Sequence, residues 1–339
     1  MDKSTITTYL KTYEGPAVRI MEICGSHTAA IAQSGMRAFF SDNIRMISGP
    51  GCPVCVTVTS YIDRLIALSE KDSVICSFGD LIRVPGSRKT LEEAGAGGAD
   101  IRMLYSPLDM LSLAEKERDK SFCFAAVGFE TTTPVYAELI RLAEERGLTN
   151  VKLLTSLKTM PKVVDRLGNS VDGYILPGHV CTITGYGIFE EYAEKYGIPM
   201  VVSGFEPSNI LEAIYALIRL RGRGMVRNFY PSAVKGNGNP KAREAVFKYF
   251  EPGNAAWRGL GEIEDSGMYL RREYAERYDA GSFELTKDQE TDGCHCASVI
   301  TGAERGTDCP LFGKACTPSH PVGACMVSRE GACFSEYVS

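Results

Sequence analysis

The sequence has little that would draw nucleic acid or a bilayer to it. Lys and Arg total 37 against 42 Asp and Glu, a formal net charge of -5 with only four histidines, so no overall basic field faces a phosphate backbone. No run of about 18 apolar residues occurs, which argues against a helical membrane span. Met1-Asp2-Lys3-Ser4-Thr5 leads into a mixed polar stretch and not into an apolar segment, so no secretory signal is expected and a cytoplasmic protein is. The low hydrophobicity of a disordered chain is missing too. Of 339 residues 44% are hydrophobic, enough for a sizeable core in two or three domains.

What the chain has in quantity is cysteine. Twelve cysteines in a compartment that keeps thiols reduced are not twelve halves of structural disulfides, so metal or redox chemistry is expected.

Short apolar, β-branched runs recur at 18–23, 44–47, 73–77, 101–105, 122–127, 151–155, 171–176 and 200–203, each of strand character. Helix-period stretches at 61–69, 135–146, 188–196 and 210–221 alternate with them, the rhythm of parallel α/β folds. A break near Lys116 to Lys120 divides the strands into two groups, giving α/β domains over 1–120 and 121–224. After Arg221-Gly222-Arg223-Gly224 the rhythm fades, and 225–339 is expected to be a separate C-terminal domain. Its last part carries Cys294, Cys296, Cys309, Cys316, Cys325 and Cys333 among Gly, Pro, Ser and Thr. That composition makes a poor apolar core, and a metal centre would help hold it together.

Unusual polar residues sit just beyond the proposed strand ends. They are Cys24-Gly25-Ser26-His27, Gly49 to Cys55, Phe78-Gly79-Asp80, Gly128 to Pro134, Pro177 to Cys181, and Gly204-Phe205-Glu206-Pro207. In parallel sheets the ligand crevice lies outside those ends, so the loops are expected to converge on one cleft. Cys52 and Cys55 form a Cys-x-x-Cys pair expected at the start of a helix over 57–69, where the dipole favours thiolate. The pair reads as redox-active, as a soft-metal site, or, with Cys24 and His27, as a zinc-type set of four. His27 is close enough to Cys24 to orient or deprotonate it; Thr131, Thr132 and Thr133 offer hydroxyls or a helix cap; His179 sits in a tight turn. Asp80, Glu130 and Glu206 could serve as acids or bases, or anchor loops through salt bridges. Six tail cysteines allow fifteen sets of four, which spacing does not resolve; with one close pair, Cys294 and Cys296, iron-sulfur is favoured over a zinc ribbon.

Together these motifs resemble the HypD family of NiFe-hydrogenase maturation proteins. The residues that carry the resemblance are Cys24-Gly25-Ser26-His27-Thr28, Gly49-Pro50-Gly51-Cys52-Pro53-Val54-Cys55, Gly128-Phe129-Glu130-Thr131-Thr132, Pro177-Gly178-His179-Val180, and Cys309 to Pro318 through Cys333. They run in order from about Met21 to Cys333, nearly the whole chain. The resemblance implies two α/β domains around a cleft plus a small iron-sulfur domain. It implies a scaffold that holds an iron atom while one carbon monoxide and two cyanides are installed, working with a HypC-type small chaperone and a HypE-type cyanide donor and serving the hydrogenase large subunit indirectly. The family spacing C-x14-C-x6-C-x16-C selects Cys294, Cys309, Cys316 and Cys333 as ligands of a 4Fe-4S cluster and leaves Cys296 and Cys325 as a dithiol or disulfide pair. Two positions depart from the pattern: Ala29, where some relatives carry a second histidine, and Cys181, where serine is common.

The resulting expectation is an iron-centre assembly scaffold. Cys24 would be the thiolate nearest the iron, His27 its orienting partner, and Cys52 with Cys55 a dithiol that ligates the iron or supplies electrons, with Glu130, Thr131, Thr132 and His179 lining the crevice. The rivals are an iron-sulfur thiol-disulfide oxidoreductase that reduces a protein disulfide, and a zinc-stabilised binding module.

Overall fold

The computed structural model describes residues 3–282, 288 and 291–339. The fold is α/β, built on two sheets. The first has five parallel strands, β1 (Val18–Glu22), β2 (Ile44–Ser48), β7 (Gly173–Leu176), β8 (Met200–Val202) and β9 (Val226–Asn228), in the order β2-β1-β7-β8-β9. The second has six, β3 (Ser73–Ser77), β4 (Ile101–Met103), β5 (Ser121–Gly128), β6 (Val151–Lys158), β10 (Phe250–Trp257) and β11 (Gly261–Leu270), in the order β10-β11-β6-β5-β3-β4. Its β3 to β6 pair in parallel, and the β10–β11 hairpin adds on antiparallel through Gly267 and Met268 against Lys158 and Leu157.

The local sequence dictates these elements. β5 is apolar from Phe122 to Val127 without alternation because a central parallel strand is covered on both faces. The helix Thr133–Glu145 carries Pro134 in its first turn and buries Tyr136, Leu139, Ile140 and Ala143, a stripe at helical spacing. Ile210, Ala213, Ile214 and Leu217 form the same stripe on Pro207–Arg219 against the first sheet. Each strand expected up to residue 203 is present.

The sheets are not consecutive in the chain. β1 pairs with β7 across the molecule, Ile20 opposite Gly173, so the first sheet is assembled from both ends of the α/β region. The expected division at 120/121 falls between β4 and β5, which both flank β3 in the second sheet. Likewise β9 and the β10–β11 hairpin, expected in a separate tail domain, complete the two sheets. The hairpin escapes the apolar alternation because Pro252, Gly253 and Asn254 interrupt β10 at a register shift between Gly253 and Ala255, tolerated on an edge strand. Beyond it the described residues form short helices, Arg272–Tyr278, Cys296–Ile300 and Ala332–Tyr337, with 3-10 turns between the last two.

Both sheets have a switch point, where chain progression reverses direction. In the first it lies between β1 and β7, in the second between β3 and β5, and a ligand crevice is expected beyond the strand ends there.

Phe124 tests the two-sided packing of β5. It is fully buried, its ring 5.3 Å from Phe78 and 5.8 Å from Tyr136. Phe124→Ala should cost about 3–5 kcal/mol in urea unfolding; a loss below about 1 kcal/mol would mean that the ring lacks those neighbours.

Candidate functional site

Cys24 leaves the end of β1 at the first switch point and is the N-cap residue of the helix Gly25–Gln33, with extended backbone at φ -148°. The thiol is buried. Burial pushes its pKa up to about 11; the His27 backbone N–H opposes the shift, and the Glu330 carboxylate adds to it. The segment after β2 is pressed against it: Gly25 N–H donates to Gly51 O at 2.9 Å, and a Cβ on Gly51 would sit 2.3 Å from Cys24 N. Only glycine allows that approach, which sets the backbone leading into Cys52 against Cys24.

Cys52 and Cys55 are joined as a disulfide in a tight turn. The helix that follows begins at Thr59, two residues later than expected, because residues 53–57 turn first; the pair therefore precedes the helix instead of capping it. Cys55 Sγ lies 3.8 Å from Ala324 O, so the turn touches the cysteine-rich segment.

His27 is fully buried, and its ring makes no hydrogen bond to the Cys24 sulfur. Nε2 pairs with Gly204 O at 3.1 Å, and the ring stacks on Phe205 at 4.7 Å. Burial lowers its pKa to about 4, so the ring is neutral at pH 7, and Nδ1 has no hydrogen-bond partner among the described residues. His179, exposed at the end of β7, also stacks on Phe205, at 4.2 Å. The loops after β1, β7 and β8 therefore do converge, through the Phe205 ring that both histidines stack on.

The loop after β5 comes from the other sheet. Glu130 Oε1 accepts from Met160 N at 2.9 Å, Oε2 is buried without a partner, and burial raises the pKa to about 7. The carboxylate acts on the Cys181 thiol, as does Cys24, so this acid and those two thiols share one neighbourhood. Thr131 is exposed; Thr132 precedes the first helical turn without a side-chain cap bond, and its hydroxyl folds over Gly128. Thr133 Oγ1 donates back to Phe129 O. Neither Glu206, exposed at the end of β8, nor Asp80 makes a side-chain bond at the crevice among the described residues.

The tail brings all six of its cysteines to one small cavity, lined by Cys294, Cys296, Cys309, Cys316, Cys325 and Cys333. Cys296 Sγ and Cys325 Sγ are 3.0 Å apart and not bonded. Hydrogen bonds from Cys294 and Cys325 lower the Cys296 pKa and raise their own. Six soft donors around one space suit a thiolate-held cluster. A single ion is another matter: among the described residues no three His, Cys, Asp or Glu side chains are close enough to hold one. The zinc-type set Cys24, His27, Cys52 and Cys55 is not assembled, since two members are bonded to each other and His27 is engaged with Gly204.

Three residues that the sequence reading passed over tie these parts together. Glu330 accepts from Ser26 Oγ at 2.8 Å, fastening the tail to the Cys24 helix. Trp257, the only tryptophan, stacks 6.0 Å from Phe129, and its Nε1–H donates to Ser266 Oγ at 2.8 Å. Arg258, buried beside it, donates from Nε to Thr57 O at 2.9 Å. A lone tryptophan next to an arginine between two glycine-rich strands was the available signal.

These features define a class: a two-sheet α/β protein with a cysteine-rich tail seated on a thiol-bearing crevice. The HypD family model, described as the hydrogenase formation hypA family, matches residues 3–338. The chain is 42% identical to hydrogenase maturation factor HypD2 of Bradyrhizobium diazoefficiens over 337 residues, covering 94% of this chain and 88% of that one. It is 40% identical to hydrogenase maturation factor HypD of Cupriavidus necator over 341 residues, covering 95% and 90%. The chain belongs to the HypD family of hydrogenase maturation factors. No helix of the described residues is long and apolar enough to cross a membrane.

Glu130 makes a pH prediction. Its folded pKa, about 7, lies above the ordinary 4.5, so the native state holds this proton more tightly than the unfolded chain. The stability it contributes is complete below about pH 4.5 and is lost as pH rises through about 7. Glu130→Gln lacks that loss, and should gain stability relative to the native protein between pH 4.5 and 8 in denaturant titrations. A difference independent of pH would contradict the buried, protonated carboxyl.

Proposed function

We propose that this chain is the scaffold on which the Fe(CN)2CO group of a NiFe-hydrogenase is assembled, together with a HypC-type chaperone and a HypE-type cyanide donor, for delivery to the hydrogenase large subunit. The observation that carries this reading is the meeting of Cys24 with the Cys52–Cys55 turn at a switch point, locked by the Gly25–Gly51 backbone bond. The iron is cargo here. Thiolates are soft donors suited to an iron that also carries cyanide and carbon monoxide, and the burial of Cys24 keeps water from it. As a disulfide, Cys52 and Cys55 offer no thiolate, so either as ligands or as reductants they act only after it is opened. His27, neutral and held between Gly204 and Phe205, shapes the wall of the site, and His179 presents the exposed face of the same stack to an incoming partner. Glu130, raised to titrate near neutrality, can hold or release a proton beside Cys181.

Cys294, Cys309, Cys316 and Cys333 would hold a 4Fe-4S cluster, which when bound supplies electrons singly. Cys296 and Cys325, side by side, form the dithiol or disulfide pair between that site and the Cys52–Cys55 turn. A cytoplasmic setting, which keeps such thiols reduced, suits all three groupings. The contact of the tail with a redox-paired Cys52–Cys55 also favours a second reading, an oxidoreductase that reduces a protein disulfide without binding mononuclear iron.

Metal analysis separates the two. Anaerobic protein purified with its HypC-type partner should contain iron beyond the complement of one cluster, and Cys24→Ala should lose that extra iron and hydrogenase maturation in cells while keeping its fold and cluster colour. Only cluster iron in the native complex, or normal maturation with Cys24→Ala, would sink the scaffold reading.

A further inference from the structure

The tail grips the α/β region in several places, and one of these grips passes through a single side chain. Arg37 lies on the 3-10 turn Met36–Phe39, just past the helix that Cys24 caps. Its Nη2 donates to Ser48 Oγ at 2.7 Å and to Glu22 Oε1 at 3.3 Å, and Ser48 Oγ itself donates to Glu22 Oε1 at 2.8 Å. Glu22 and Ser48 are the last residues of β1 and β2 and lie opposite each other in the sheet register. Glu22 leads into Cys24, and Ser48 into the segment that ends at Cys52. Gly49 N–H, donating to Glu22 O at 2.8 Å, binds the two departing chains together.

The other arm of the guanidinium leaves the α/β region. Arg37 Nη1 pairs with Glu336 Oε1 at 3.7 Å, and Glu336 Oε2 accepts from Thr307 N at 3.0 Å. Thr307 belongs to the 3-10 turn Gly306–Asp308, which runs into Cys309, while Glu336 shares the helix Ala332–Tyr337 with Cys333. Turn and helix pack closely: a Cβ on Gly306 would sit 2.9 Å from Glu336 Oε2 and 3.3 Å from Cys333 Sγ. One carboxylate thus joins the backbone entering Cys309 to the helix bearing Cys333, and one guanidinium joins that carboxylate to the ends of β1 and β2. Neutralising the wholly buried Glu22 needs only one arm of Arg37. A planar fork can spend its second arm on another element, where a lysine would offer a single point charge.

From this chain of contacts we infer that Arg37 is a positioning residue that couples ligation in the tail to the order of the Cys24 and Cys52 loops. The inference rests on the reading of Cys309 and Cys333 as cluster ligands. With both sulfurs on one cluster, the turn before Cys309 and the helix of Cys333 are fixed to each other, so Glu336 has one position and Arg37 one anchor. Without the cluster the tail, poor in large apolar side chains, loses that constraint. Arg37 then keeps Glu22 and Ser48 but not its hold on the tail, and the loops leaving β1 and β2 open more often. The surroundings of Cys24 are thereby set only in a chain whose tail is complete.

The test reads hydrogen–deuterium exchange in the full-length protein, by mass spectrometry of the peptides that contain the Gly25 and Gly49 amides, with the cluster present and after its anaerobic removal by a chelator. Iron content and visible absorbance are measured first. In the native protein both peptides should exchange at least about tenfold faster without the cluster. In Arg37→Met that ratio should fall to within about twofold of one, with the cluster colour of the holoprotein unchanged. Glu336→Gln, which leaves the Arg37–Glu22 pair intact, should do the same, and it carries the test if Arg37→Met does not fold. An Arg37 that merely neutralised Glu22 would change exchange by one factor in both forms. A ratio at the native value in either folded variant, or a native ratio near one, would therefore overturn the inference. A native protein with neither cluster iron nor cluster colour would instead overturn the cluster reading, and the inference with it.

Discussion

A segment rich in cysteine and poor in large apolar side chains has to borrow its stability, and that constraint governs how this protein is put together. Cys296, Val299, Ile300, Cys325 and Met326 are buried in the same core as Met21, Ile23 and Ile47 of the first sheet and Trp257 of the hairpin. Ser26–Glu330 ties the tail to the Cys24 helix, Cys55–Ala324 to the Cys-x-x-Cys turn, and Gly259–Ala297 to the hairpin. A further tie runs from the buried Glu22 through Arg37 to Glu336, at 3.3 and 3.7 Å. The tail is thus fastened where the thiols of the α/β region lie, so its own sulfurs come to face them.

The interleaved sheets make that convergence possible. Because β1 and β2 return to pair with β7 and β8, Cys24 and the Cys52–Cys55 turn, both early in the chain, share an edge with Gly178-His179 and Gly204-Phe205. Gly128-Phe129-Glu130 and Gly204-Phe205-Glu206, alike in sequence, end β5 and β8 of different sheets, and the first carries an acid to the seam from the opposite side. Burial then sets the chemistry: it holds the Cys24 thiol and the His27 ring in their uncharged forms near neutral pH and raises the Glu130 carboxyl to titrate there.

How far this was legible in the sequence follows from the range of the interactions. Strands such as Phe122 to Val127 announce themselves, since a doubly covered parallel strand is one apolar run. Sheet order does not, because the pairing of Ile20 with Gly173 leaves no local mark. The hairpin was missed where Pro252, Gly253 and Asn254 broke its pattern, and with it Trp257 and Arg258. The cysteine and glycine motifs of the crevice were visible because close backbone approach restricts Gly51 to its residue type. His27, by contrast, was expected on Cys24 from sequence proximity, and the long-range carbonyl of Gly204 holds its ring instead.

In the proposed function, metal ligation completes what the tail's weak core cannot, with Cys294, Cys309, Cys316 and Cys333 as ligands and Cys296 and Cys325 outside the set. The most direct measurement is visible absorbance and iron content of anaerobically purified Cys309→Ala and Cys296→Ala proteins beside the native one. The account predicts a bleached, less stable Cys309→Ala protein and a normally coloured Cys296→Ala protein. A colourless Cys296→Ala protein beside a coloured Cys309→Ala protein would contradict it.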